Sequence, residues 1–367
     1  MKDELKGIKD PRREWGNKRH ELEDIIIIGL CSVICCGEDF VDMEEFGRER
    51  IDWLKTFLEL PNGIPDSDTF RRVFERIDST ELTKYLNNWL DMEQQSGGRC
   101  VNIDGKTIRG SGNSRHGAYH VVSAWVEQSN ITLGEIATQE KSNEITAIPE
   151  LLDLIDVDGD IVTIDAMGCQ TDIARKIRKK GADYILALKD NQQILHEDVA
   201  EYFDWLEKEK PSDEKYDCFK SGVEKCHGRI EKREITVASA DWLEQRRDWE
   251  DINSIIRYRC TRVIDGKEIV AVRHYISSFD SSAEDFSKII RGHWSIENQL
   301  HWVLDVVFRE DAARCRKDNS PLNMNVLRKT AITLLRANTY GKRLGYRKKM
   351  FKAALNPEFL ASIIFKK

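Results

Sequence analysis

The sequence predicts an α/β protein: a mixed core with a helical domain ahead of it and a β-rich subdomain inserted into it. Three features of the chain predict this. Residues 1–95 carry apolar side chains at helical spacing, residues from Gly97 onward form short strands that then alternate with helices, and a second strand-rich stretch breaks the alternation between 191 and 279. At 367 residues and 40% hydrophobic content the chain can bury a large core, enough for about two or three domains.

In chain order, the apolar stretches Leu22 to Ile34 and Phe40 to Leu60 read as helices. The turn signal Pro61-Asn62-Gly63-Ile64-Pro65 separates them from Ser67-Asp68-Thr69, polar N-cap residues that open a helix carrying Phe70, Val73, Phe74 and Ile77. This module fits a helix-turn-helix DNA reader and a plain packing domain equally. Strands follow at Val101 to Ile103, Tyr119 to Val126 and Ile131 to Thr138. A helix around Ile148 to Ile155, a strand at Ile161 to Ile164, a helix at Asp172 to Lys180 and a strand at Tyr184 to Leu188 complete residues 96–190. Three consecutive strands followed by alternating helix and strand is the order of an RNase H-like fold, with the first strand central and the fourth beside it. That order makes Asp104 and Asp165, which end those two strands, neighbours.

The stretch 191–279 opens with a charged helix, Leu195 to Glu209, and continues as strands at Arg229 to Val237 and Ser254 to Ser277. Asp265-Gly266 splits the latter as a hairpin-turn dipeptide. Residues 280–335 return to helix, at Ala283 to Arg291 and His293 to Phe308, and 336–367 form a basic tail. On the helix from His293, the residues Ile296, Leu300, Val303 and Val307 make one apolar stripe. Glu297 lies at its edge, with His301 and Asp305 on the same side.

Charge and cysteine usage exclude several classes. A net charge of −7 argues against a protein that simply coats nucleic acid, and the basic segments are local: Lys9 to His20, Arg175 to Lys180 and Gly341 to Lys352. Nine cysteines without a C-x2-C framework indicate neither a disulfide scaffold nor a zinc ribbon, and fit reduced, cytoplasmic thiols. Met1-Lys2-Asp3-Glu4 lacks the apolar core of a signal peptide, and the run from Ile25 to Cys36 is too short to span a bilayer, so no membrane role is expected.

The chemistry rests on three carboxylates. Asp104 ends Cys100-Val101-Asn102-Ile103, Asp165 ends Ile161-Val162-Thr163-Ile164, and Glu297 sits within a later helix. Two strand-end Asp residues and a helical Glu can converge on a pair of hard cations, which take oxygen ligands and drive phosphoryl transfer by holding the attacking and leaving oxygens. Taken singly, Asp104-Gly105 and Asp165 also fit turn residues, and Glu297 fits a solvated charge.

Four segments carry a family resemblance. They are Ile103-Asp104-Gly105-Lys106-Thr107-Ile108-Arg109-Gly110-Ser111, Thr163-Ile164-Asp165-Ala166-Met167-Gly168-Cys169-Gln170, Gly181 to Lys189, and His293-Trp294-Ser295-Ile296-Glu297-Asn298 through Asp305. In that order they resemble bacterial insertion-sequence transposases of the DDE superfamily, more narrowly the ISAs-type group that includes the H-repeat-associated proteins. The likeness runs from about Asp10 to Arg336. It implies an RNase H-like core in which Asp104, Asp165 and Glu297 hold two Mg²⁺ ions, with Mn²⁺ able to substitute. It also implies double-stranded DNA as partner, both terminal inverted repeats and target, a homodimer on that DNA, and the family's N-terminal helical segment at 1–95, to which the basic stretch Lys9 to His20 and the helical pattern behind it assign recognition of the DNA ends.

Related transposases place a Tyr seven residues before the Glu, an Arg four before it and a Lys seven after it; here those positions are Ile290, His293 and Leu304. The family's Gly at position 190 is replaced by Asp190. Lys106, Arg109, Lys189 and Arg291 are candidate phosphate contacts, since Lys and Arg supply the charge and donors such contacts use. Trp242 and Trp249 fit either base stacking or core packing. Two other readings remain: an RNase H-like nuclease without strand transfer, and an inactive DNA-binding relic.

Overall fold

A computed structural model describes residues 2–13, 18–90, 97–112, 117–138, 144–211, 215–226, 229–264 and 267–365. It opens with helices α1 (Lys2–Leu5), α2 (Leu22–Ile34), α3 (Phe40–Glu49), α4 (Ile51–Leu54), α5 (Ser67–Phe74) and α6 (Ser79–Trp89). Strands β1 (Cys100–Thr107), β2 (His120–Val126) and β3 (Ile131–Thr138) follow. Then come α7 (Glu144–Leu154), β4 (Ile161–Ile164), α8 (Thr171–Lys179), β5 (Asp183–Leu188) and α9 (Gln193–Glu209). The strands β6 (Tyr216–Lys220), β7 (Glu224–Cys226), β8 (Arg229–Ser239), β9 (Ser254–Ile264) and β10 (Lys267–Ser277) lead to α10 (Ala283–His293). Two π-helical segments, Ile296–His301 and Val303–Val307, precede α11 (Ser320–Ala337), α12 (Tyr346–Leu355) and α13 (Pro357–Ile364). Among the described residues, no helix is long and apolar enough to cross a membrane.

The chain divides into two compact units: Met1–Gln95, Gly105–Asn143 and Ile296–Lys367 form the first, and Ser96–Asp104 with Glu144–Ser295 the second. This differs from the expected run of 1–95, 96–190, 191–279, 280–335 and 336–367. β1 passes from the second unit into the first between Asp104 and Gly105.

In the first unit, α2 is buried almost all round, as a helix with the sequence LEDIIIIGLCSVI must be, and its buried Asp24 is paired with Lys2 at 2.8 Å. A reciprocal cap starts α3, with the Asp39 carboxylate accepting from the Val41 and Asp42 amides while Asp42 accepts from the Asp39 amide. The α5 cap is Asp66, one residue before the expected Ser67, and it accepts from the Thr69 amide at 2.7 Å. Residues 336–365 do not trail as a tail: Phe359, Leu360, Ile363 and Ile364 of α13 are buried in the same core as α2 and α11.

In the second unit, β1 is parallel to β4 and β4 to β5, with Val101 opposite Val162, Ile103 opposite Ile164 and Ile164 opposite Leu186. The first and fourth strands are thus neighbours, as the element order required. β4 is nearly continuous apolar sequence, with Val162, Thr163 and Ile164 all buried, as befits a central parallel strand covered on both faces. The expected insertion does not stand apart: β10 pairs antiparallel with β5, then β9, β8 and β6 extend the sheet and β7 pairs with β8. Pairing with β10 satisfies the edge of β5 that an excised insertion would leave open. β9 and β10 meet with Ile264 opposite Lys267, while the dipeptide Asp265-Gly266 lies outside the described residues.

Candidate active site

Asp165 directly follows the end of β4, whereas Asp104 does not end its strand as expected: β1 runs on to Thr107, and only its pairing with β4 stops at Ile103, so each Asp directly follows the last paired residues, Ile103 and Ile164. Both are half-buried. The Asp165 carboxylate accepts from the Met167 amide at 3.0 Å and the Gly168 amide at 3.4 Å through one oxygen, which caps the short turn Ala166–Gly168 and fixes the direction of the group. Gly168 is required by space, since a Cβ there would lie 2.3 Å from Ile164 Cγ2 and 2.9 Å from Ile148 Cδ1. From the start of the α9 region, Asn191 Nδ2 donates to Ala166 O at 2.7 Å and Gln192 Nε2 to Cys169 O at 3.0 Å, bracing the same turn.

Behind the two carboxylates lies a polar chain that the sequence alone did not single out. Thr163 Oγ1 donates to Asn102 Oδ1 at 2.6 Å and lies 2.8 Å from His293 Nδ1, and Asn102 Nδ2 reaches Gly292 O at 3.5 Å. Asn102 is 0% and Thr163 2% exposed. Burial pushes the His293 imidazole down to about 4 while the nearby Asp165 charge acts in the opposite direction, so the ring is neutral at pH 7. The next residue, Trp294, carries the Arg273 guanidinium over its ring at 4.1 Å.

Glu297 belongs to the first unit and is exposed. Its helix is π-wound rather than α: Phe308 N donates to Val303 O, five residues back, and the buried residues are Ile296, Leu300, Val303, Leu304 and Phe308. The expected stripe therefore drifts from Val307, which is only partly buried, to Leu304 and Phe308, because a π turn holds more residues than an α turn.

Asp305, the other acid on this run, is engaged elsewhere: Lys106 Nζ lies 2.7 Å from it and 3.0 Å from Glu310. Glu310 is 0% exposed and also accepts from Asn325 at 2.8 Å and Arg328 at 3.4 Å. Burial raises the Glu310 carboxyl, but Arg328 and Lys106 more than offset that and hold it below the usual range. Burial lowers the Lys106 amine, and Glu310 and Asp305 reverse the effect and leave it raised. Asp305 itself ends up raised, since burial outweighs the pull of a lysine whose charge is shared with Glu310.

The four candidate phosphate contacts fall into different settings. Arg109 has a side chain 80% exposed, and Lys189 is exposed at the end of β5. Arg291 is exposed but forked onto Glu224 at 2.7 and 2.8 Å. Lys106 is committed to the acidic cluster, with its side chain 9% exposed. The sequence reading missed an exposed basic loop just past the π segments: Arg309, Arg314, Arg316 and Lys317. Its signal was there in the spacing, four cations within nine residues. Trp249 is buried and Trp242 stacks on Tyr202 at 4.6 Å, and Asp190 Oδ1 lies 3.5 Å from His196 Nδ1.

Among the described residues, no group of three or more His, Cys, Asp and Glu side chains is gathered closely enough to hold a metal ion. The donor chemistry of Asp104 and Asp165, two hard oxygen ligands just past the paired stretch of neighbouring strands, fits Mg²⁺ or Mn²⁺ rather than a thiolate-seeking metal.

A family described as DDE_Tnp_1-associated matches residues 2–90, and the family described as Transposase DDE domain matches residues 95–334. "Putative transposase YncI" of Escherichia coli O157:H7 is 40% identical over 96% of this chain and 91% of its own length. "H repeat-associated putative transposase YhhI" of Escherichia coli K12 is 39% identical over 97% of this chain and 95% of its own, and "Putative protein YbfL" of the same strain is 38% identical over the same shares. The chain belongs to the Transposase DDE domain family, with that family's associated domain preceding it.

Proposed function

We propose that this protein is an active DDE transposase with an RNase H-like core, which hydrolyses DNA at the ends of its element and joins the freed ends to target DNA. The observation that carries the reading is the placement of Asp104 and Asp165 side by side, each just past the last pair joining the adjacent parallel strands β1 and β4, in a chain of the transposase family. Asp104, Asp165 and Glu297 would hold two Mg²⁺ ions, which when bound polarise the attacking oxygen and stabilise the leaving one. In the first step a water oxygen forms a bond to phosphorus as the bond to the 3′-oxygen breaks, leaving a 3′-hydroxyl and a 5′-phosphate. In the second, that 3′-hydroxyl forms a bond to a target phosphorus as the target's own 3′-oxygen leaves and takes up a proton.

The protein's other residues position the duplex. Arg109, Lys189 and, in the loop Arg309 to Lys317, Arg314 and Arg316 offer exposed charge to phosphates, while Arg291, Arg309 and Lys317 reach DNA by exchanging Glu224, Glu38 and Glu75 for a phosphate. Residues 1–95 recognise the terminal inverted repeats, and two copies of the chain pair on the DNA. In binding to a repeat-bearing duplex, the logarithm of the full chain's affinity should fall linearly with the logarithm of salt concentration, with a slope of about −0.9 for each phosphate neutralised. Replacing Arg314 and Arg316 together by Ala should make that slope shallower by about 2. An unchanged slope would remove the loop from the interface.

Glu297 rather than Asp305 completes the acidic set, because Asp305 is already paired with Lys106. Glu297→Gln is expected to lose cleavage in Mg²⁺ with partial recovery in Mn²⁺, and Asp305→Asn, which can still accept from Lys106, to keep most of it. The two variants run side by side in one plasmid-cleavage assay check this, and the reverse ranking would move the third ligand to Asp305. Incubating wild type with repeat-bearing plasmid in Mg²⁺ tests the function as a whole. Joined products support transposition, nicking alone supports a nuclease, and binding without either supports a relic.

A further inference from the structure

The polar chain of buried Asn102 and Thr163 and partly buried His293 does more than fill space. Asn102 stands two residues before Asp104 on β1, Thr163 two before Asp165 on β4, and His293 four before Glu297. Residues two apart on a strand share a face, so Asn102 projects from the same face of β1 as Asp104, and Thr163, its partner on β4, stands two residues before Asp165. A core strand position of this kind is satisfied by Val or Ile, and burying an amide, a hydroxyl and an imidazole there costs desolvation that only complete hydrogen bonding repays.

The bonding has a direction. The single hydroxyl proton of Thr163 goes to Asn102 Oδ1, so Thr163 can only accept from His293, which places the imidazole proton on Nδ1. Asn102, with its carbonyl oxygen used by Thr163, turns its amide toward Gly292 O at the end of α10. Three elements are thereby held in one register: β1, β4 and the last turn of α10. Trp294, the residue after His293, is held in turn by the Arg273 guanidinium over its ring.

We propose that Asn102, Thr163 and His293 are positioning residues: a hydrogen-bonded relay that fixes the Asp104 and Asp165 carboxylates for cation binding. This rests on the metal-dependent function proposed above. None of the three touches substrate or cation, and each acts through the backbone it anchors.

The test uses the full chain and Mn²⁺ as probe, followed by electron paramagnetic resonance, with thermal unfolding in chelator measured alongside. Thr163→Val keeps the shape and removes the hydroxyl. It should lower the thermal midpoint, since it strands the His293 donor, and should also weaken Mn²⁺ binding by about 10-fold or more and raise the Mg²⁺ needed for half-maximal cleavage in parallel. Thr163→Ser should restore both. A merely structural role would move the thermal midpoint and leave Mn²⁺ affinity alone, and that result in folded Thr163→Val overturns the proposal. If that variant does not fold, Thr163→Cys, of similar size and a weak donor, takes its place under the same criteria.

Selective ¹⁵N-histidine NMR of wild type gives an independent readout: a protonated Nδ1 on His293 supports the relay, and a protonated Nε2 with bare Nδ1 overturns it. Asp104→Asn serves as the reference. Mn²⁺ binding by wild type that this variant loses upholds the metal reading separately. Wild type that neither binds Mn²⁺ nor cleaves DNA sinks that reading and the relay with it.

Discussion

Asp104→Asn and Asp165→Asn, each purified and assayed on repeat-bearing plasmid in Mg²⁺, should lose end cleavage by at least about 10³-fold, the scale of removing one preorganised charge from a transition state. DNA binding should persist, because neither residue is an exposed cation. The Asp165 variant is the sharper of the two. Asn keeps an oxygen that can accept from the Met167 and Gly168 amides, so the turn Ala166–Gly168 survives and only the charge is removed. Nicking by either variant at near the wild-type rate would take these residues out of the site.

The largest stability effect is expected at Glu310. Glu310→Gln leaves Lys106 and Arg328 buried without their shared counter-charge, and breaking a buried pair in this way costs about 3 to 5 kcal/mol. Chemical denaturation at pH 7 measures it, and a loss below about 1 kcal/mol would show that the cluster does not depend on the charge. The pH dependence has a definite sign. Glu310 is held below its unfolded value, so its contribution is present above the unfolded carboxylate range and is lost as pH falls through the lowered folded value. Lys106 is raised, so its contribution is full below the ordinary lysine value and is lost as pH rises through the higher folded one. Wild type should lose stability at both extremes from this cluster, and Glu310→Gln should show a weaker acid limb.

How much of this was legible in the sequence depends on the kind of signal each residue leaves. Asp104 and Asp165 stood out because each ends an apolar run, and the order of elements was enough to bring β1 beside β4. The helix of Glu297 was legible as a helix, but not its winding: apolar residues four apart serve an α stripe and a π stripe alike, and only the bonding from Phe308 to Val303 separates them. The strands of 191–279 were read as strands, yet their partner was not. β10 binds β5 through backbone groups, which leave no trace in side-chain pattern. Lys106 read as a cation available to DNA, because its carboxylate partners lie some 200 residues away in sequence, at Asp305 and Glu310. Asn102, Thr163 and His293 read as unremarkable polar residues, since alternation tells which face a residue takes and nothing about what meets it there.

The pairing of β5 with β10 bears on the fate of shortened gene copies. A reading frame that stops soon after Asp190 would still encode β1, β4 and β5, with both carboxylates in place, yet would leave one side of β5 without its hydrogen-bonding neighbour. Such a product exposes a strand edge of largely apolar sequence, Asp183 to Leu188, to any other chain it encounters. Truncation there would therefore yield a product that self-associates and falls to the cell's proteases, and not a stable folded fragment.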